Sequence, residues 1–76
     1  MPKRQVQSIL IHKNIGNKYH LTKSQALHYV QSLGYNPIKK AHETKNYYRF
    51  RIAEPILFDE FITKRIDPVV TIIYGY

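Results

Sequence analysis

The stretch Phe58–Ile66, FDEFITKRI, decides the fold. Read as a helix, it places Phe58, Phe61, Ile62 and Ile66 at i, i+3, i+4 and i+8. Read as a strand, it sets Phe61, Thr63 and Arg65 on one side and Ile62, Lys64 and Ile66 on the other. The first reading completes a β-α-β-β-α-β order, which is ferredoxin-like. The second gives β-α-β-β-β-β, one helix on a mainly antiparallel sheet of four or five strands. The segment is short for a helix and holds a threonine and two isoleucines, whose branched Cβ atoms suit a pleated surface. The strand is therefore preferred, with the ferredoxin-like order as the alternative, and the fold class is α+β.

Outward from this stretch the signals are clearer. Asp67-Pro68 marks a turn, and VVTIIYGY (Val69–Tyr76) reads as a final strand. Upstream, Glu54-Pro55 interrupts the pattern. Before it stands KNYYRFRI, Lys45–Ile52, with three aromatics and two arginines in eight residues. Alternation puts Tyr48, Phe50 and Ile52 on one face and Tyr47, Arg49 and Arg51 on the other. The first set is apolar and reads as core. The second faces outward, because unpaired guanidiniums are costly to bury. IKKAHET (Ile38–Thr44) reads as its partner strand, joined near Thr44-Lys45-Asn46, where Asn46 tolerates positive φ.

A helix precedes these strands. Thr22 with Gln25 forms a capping box, and Ala26, Val30 and Leu33 recur on one face. Gly34 stands at the left-handed C′ position, Tyr35 can fold back on Val30, and Pro37 prevents resumption. VQSILIHK (Val6–Lys13) reads as the first strand, and Asn14–His20 as a loop marked by Gly16. Residues 1–5 form a short basic tail and residues 6–76 one domain. The expected core comprises Ile9, Ile11, Val30, Leu33, Tyr48, Phe50, Ile52, Phe61, Ile72 and Tyr74.

Twelve Lys/Arg oppose five Asp/Glu in 76 residues, a net charge of +7, and seven basic residues precede the first acid, Glu43. Such a balance favours polyanions; the plainer alternative is charge kept for solubility. There is no cysteine, hence no disulfide framework, and this is not the composition of a small secreted scaffold. No apolar run reaches the roughly 20 residues of a membrane helix, and Ile9–Ile11 is too short for a signal-peptide core.

Catalytic chemistry finds no foothold. His12, His20, His28 and His42 lack metal-ligand spacing. The serines lack a nucleophile-elbow context, the three glycines are isolated, and Glu54, Asp59 and Glu60 read as exposed loop acids. No enzyme activity, metal or cofactor is expected.

What remains is a basic-aromatic face. Lys39, Lys40, Lys45, Arg49 and Arg51 belong to neighbouring segments, and Lys64 and Arg65 join them if the later segment pairs nearby. Guanidiniums grip phosphates, and Tyr47 offers a ring for stacking. An RNA-recognition motif does not fit, since no glycine separates the aromatics of Lys45–Ile52.

The helix exit Leu33-Gly34-Tyr35 with Pro37 and Lys39, the Glu43-Thr44 and Asn46–Arg51 run, the Phe61 and Thr63–Ile66 run, and the closing Gly75-Tyr76 together resemble a small domain of tailed-phage proteins. It occurs in the N-terminal regions of PBSX-type prohead-protease or head-associated proteins, and in short standalone proteins of phages and large DNA viruses. Ile66-Asp67-Pro68 stands where that family usually has a glycine. The family has no assigned chemistry, so no catalytic residue carries over. The resemblance implies a viral or proviral origin, a place in the virion or the host-cell interior, and a strand at Phe61–Ile66.

The leading expectation is a binding module for nucleic-acid backbone. The rival is a virion-assembly or protein-interaction domain that docks an acidic viral or host protein, or another copy of itself. A host-defence antagonist trapping a small anionic signal also suits the charge.

Overall fold

The computed structural model describes residues 4–15, 19–66 and 68–76. The start of the tail (1–3), Gly16 of the loop and Asp67 of the turn lie outside these. From the N-terminus the chain runs through β1 (Gln5–His12), a two-residue ladder of β2 (Asn14–Ile15) and β3 (Tyr19–His20), and α1 (Lys23–Ser32). It continues through β4 (His42–Glu43), β5 (Tyr47–Arg51), a 3-10 turn at Pro55–Leu57, β6 (Phe61–Arg65) and β7 (Val70–Gly75). The main sheet has the order β4-β5-β1-β7-β6, every neighbouring pair antiparallel. The α+β architecture and the strand reading of the ambiguous segment therefore hold.

β1 lies at the centre, paired on both edges, and its middle is apolar on the helix face. Ile9 and Ile11 face α1, while Ser8 and Leu10 face away. Register carries that division across the sheet: Phe50–Ile9–Ile72 is a row on the helix side, and Arg49–Leu10–Thr71–Arg65 is a row on the bare side. Directly opposed residues share a face, so one helix covers one side only.

The helix is built as its termini dictate. Gln25 N–H donates to Thr22 Oγ1 (3.3 Å), and Thr22 N–H donates to Gln25 Oε1 (3.0 Å), a complete capping box. At the other end Gly34 takes φ +93, Gly34 N–H donates to Gln31 O (3.0 Å) and Tyr35 N–H to Val30 O (3.4 Å). These are the two bonds of a Schellman ending.

The core comprises Ile9, Ile11, Leu21, Ala26, Val30, Tyr48, Phe50, Val70 and Ile72, with Val6, Ile52 and Tyr74 packed partly against it. Two expected members are outside it. Leu33 caps the helix and is 45% exposed, and Phe61 is 47% exposed. Phe61 stands opposite Gly75 on the bare side, where no helix reaches it. Leu21 and Val70 take their place, flanking the helix start and the start of β7.

Three local features differ from the sequence reading. The loop 14–20 carries the β2–β3 ladder. The partner strand of β5 is reduced to His42–Glu43, because Ile38 after Pro37 instead donates its N–H to Arg51 O (2.8 Å). Asn46 does not use positive φ; among the described residues only Gly34 does. Thr44 closes the turn instead: its Oγ1 donates to Tyr47 O (3.0 Å) and accepts from Tyr47 N–H (3.1 Å).

A bulge interrupts β1 between Val6 and Ser8. The extra residue, Gln7, is 1% exposed and uses its polar groups internally. Its carbonyl accepts from Ile52 and Ala53 N–H, its Nε2 donates to Ala53 O (3.0 Å), and its Oε1 accepts from Ser8 Oγ (2.7 Å). The bulge keeps Val6 on the helix side with Tyr74 while Ser8 returns to the bare side.

Candidate nucleic-acid interface

The bare side ends, at the β4–β5 margin, in a cleft of about 190 Å³. Lys39, Lys40, His42, Arg49 and Arg51 line it. Each arrives for a local reason. Arg49 and Arg51 are the outward positions of β5, alternating with the buried Tyr48 and Phe50. Closure of the hairpin at Thr44 and Tyr47 sets His42 opposite Arg49. The Ile38–Arg51 hydrogen bond holds the incoming segment against the end of β5, which brings Lys39 and Lys40 alongside.

Little negative charge opposes them. Glu54 lies 3.4 Å from Lys39 Nζ and 3.8 Å from an Arg51 nitrogen, and these side chains are all partly exposed. Exposed pairs at such distances contribute little, on the order of 0–1 kcal/mol. Among the described residues no carboxylate pairs with Arg49. Its Nε makes a long contact with Ser8 Oγ at 3.5 Å. The stems of Arg49 and Arg51 lie beside Ser8, which is fully buried although no helix covers this face.

The remaining sequence candidates fall elsewhere. Lys45 is exposed in the Thr44–Tyr47 turn, outside the cleft. Tyr47 is half-buried two residues before Arg49, its ring edge-on to His12 with centroids 6.0 Å apart. It shares the face of the arginines but does not line the cleft. Lys64 and Arg65 do not join the cluster. β6 pairs in the same sheet but at the opposite margin, so Arg65 stands three strands from Arg49, about 14 Å at the usual strand spacing. Lys64, opposite Ile72, belongs to the helix side.

Two contributors escaped the sequence reading. His42 looked like an ordinary histidine, and only the hairpin register brings it to Arg49. Glu54 looked like a loop acid, and only the return of Lys39 makes it a shared counterion. The hairpin closure could have located the first, since 42 pairs with 49 once Thr44 pairs with Tyr47.

His12 lies at the other end of the bare side, its Nε2 2.9 Å from Thr71 Oγ1. Burial, and secondly the Arg65 guanidinium, hold its pKa below the ordinary 6.5. Lys13, buried, reaches Glu43 at 2.7 Å and lies over the Tyr48 ring at 4.9 Å, which ties β1 to the β4–β5 hairpin. Among the described residues no three His, Asp or Glu side chains come together that could hold a metal ion. No described helix is long and apolar enough to cross a membrane.

Comparison of the chain with protein-family models, curated proteins and solved structures finds no match in any of the three.

Proposed function

We propose that this chain is a binding module for the sugar-phosphate backbone of nucleic acid, with little sequence preference, acting through the β4–β5 cleft. The single observation that carries this reading is the composition of the cleft: two basic segments, Lys39–Lys40 and the outward side of β5 with Arg49 and Arg51, converge with a histidine on one concavity, and the only carboxylate among the described residues to contact its lining is the partly exposed Glu54. Arg49 and Arg51 supply planar donors that match phosphate oxygens, and Lys39 and Lys40 supply point charges beside them. Contacts of this kind hold a strand in place without choosing its bases. The resemblance to phage and large-virus domains is compatible with such a role.

The double replacement Arg49→Ala/Arg51→Ala tests the assignment. Both side chains are only lightly held by their neighbours, so the fold should persist. Affinity for a short single-stranded DNA at low salt is expected to fall on the order of a hundredfold. Lys64→Ala, on the opposite margin and the opposite face, serves as the control and is expected to change it far less. Equal losses in the two variants would mean that net charge, and not the cleft, drives binding.

A further inference from the structure

The β6 margin of the sheet carries a different kind of information. Glu60 and Tyr76 exchange backbone hydrogen bonds (both 3.1 Å), and Ile66 N–H donates to Val70 O (2.9 Å). Hydrogen-bonded pairs alternate along an antiparallel ladder. Ile62 and Lys64 therefore point their backbone groups at β7, and Phe61, Thr63 and Arg65 point theirs away from the sheet. β6 is the last strand in the order, and its residues are largely exposed. Three N–H and three C=O groups thus stand ready on a five-residue edge whose ladder with β7 has no bulge.

The side chains along this edge run from acid to base: Asp59, Glu60, Phe61, Ile62, Thr63, Lys64, Arg65. An antiparallel copy of the same run reverses that order, and a two-fold axis through Thr63 pairs every outward backbone group of 61, 63 and 65. We propose that two copies of this chain join through their β6 edges in this register, forming one continuous sheet. Thr63 meets Thr63 of the second copy, Phe61 meets Arg65, and Ile62 meets Lys64, while Glu60 and Asp59 lie diagonal to Lys64 and Arg65. Opposed threonines, an aromatic facing a guanidinium, and diagonal opposite charges are all favourable cross-strand combinations. The outward backbone groups of 61, 63 and 65 then pair with those of 65, 63 and 61, six bonds in all. Lys64 comes diagonal to Lys64 of the second copy, a like-charge approach that the two Glu60–Lys64 diagonals offset.

Neighbouring registers are poorer: an axis at Lys64 sets ammonium against ammonium, and an axis at Ile62, although it faces Glu60 with Lys64, pairs Arg65 with Asp59, whose N–H is already engaged, and so forms fewer backbone bonds. An axis at Arg65 sets guanidinium against guanidinium. An axis at Phe61 sets Thr63 against Asp59, whose N–H is already given to Tyr76 O (3.0 Å). The other margin offers no such surface, since β4 is two residues long and runs into the Thr44 turn. This is the isologous geometry in which one patch meets itself.

The test uses the full chain without nucleic acid. Light scattering across a concentration series at near-physiological salt should show the mass rising to twice that of a single chain, within a range up to about 1 mM set by the small contact area. Amide exchange at Phe61, Thr63 and Arg65 should slow at least about tenfold over the same series, while other exposed amides stay unchanged. Thr63→Pro removes one outward donor without touching the β6–β7 ladder, a placement that edge strands tolerate. It is expected to give a single-chain mass throughout. Thr63→Lys, which leaves the backbone intact and sets like charges across the axis, should do the same and decides the matter if the proline variant is unfolded. A single-chain mass for the unaltered protein over the whole range, or an oligomer that a folded Thr63 variant leaves unchanged, overturns the proposal.

Discussion

At the β4 margin the sheet ends in two residues folded back by a threonine-capped turn, and surplus positive side chains gather beside it in a cleft. At the β6 margin it ends in a run of five, where acid and base are balanced along the strand but the backbone of alternate residues has no partner within the described chain. The same sheet is thus finished in two ways. One margin has a short, folded-back main chain and its charge uncompensated, which suits a polyanion. The other has its charge compensated and its main chain open, which suits another strand. Net charge alone describes neither, because +7 is a sum over both.

The largest effect expected from breaking this comparison comes at the β6–β7 margin. A methyl group added at Gly75 would overlap the root of the Phe58 ring, which also packs edge-on against Phe61. Gly75→Ala is expected to lower stability by about 1–3 kcal/mol in a urea titration. Because the cleft lies at the far margin, the folded variant should hold DNA as the unaltered chain does. A parallel loss of DNA affinity in the folded variant would mean that the two margins are not independent.

These margins were unequally legible in the sequence. The helix could be read to the residue, since Thr22, Gln25 and Gly34 act within one turn of their own positions. The division of β5 was also legible, because alternation between Tyr48/Phe50 and Arg49/Arg51 is local. Which strand lies beside which is not local. Nothing in the period of Phe61–Arg65 says that it pairs with β7 at the edge away from β5, so Arg65 could be grouped with Arg49 although two strands, β1 and β7, lie between them. The same ignorance put Phe61 in the core. The short β4 was hidden for another reason: Ile38–Lys40 has strand-like spacing, but its hydrogen bond runs to the end of β5 instead of along it.

A smaller effect sharpens the cleft itself. Glu54 is the shared counterion of Lys39 and Arg51. Glu54→Gln removes it and is expected to raise affinity for single-stranded DNA by less than about fivefold, as befits exposed pairs. Reduced affinity would show that Glu54 positions the two cations more than it neutralises them.

The smallest effect lies between the margins, at His12, which touches Thr71 and Tyr47 and feels Arg65. Its folded pKa is lowered from 6.5, chiefly by burial. The unfolded chain therefore takes up this proton first as the solution is acidified. The stability it contributes is complete above pH 6.5 and is lost as pH falls through the lowered folded value. The urea midpoint should drop modestly over that window, and His12→Gln should flatten that part of the profile. An unchanged pH profile in the variant would remove His12 as its source.

The claim on which the functional account rests is that the β4–β5 cleft grips phosphates through charge. Its most direct measurement is the affinity for a short single-stranded DNA as a function of salt. With about four phosphates engaged, log K is expected to fall against log salt with a slope near −3, and Arg49→Ala/Arg51→Ala should flatten it by one to two. Affinity that does not change with salt, or no binding to DNA or RNA even at low salt, would contradict the account.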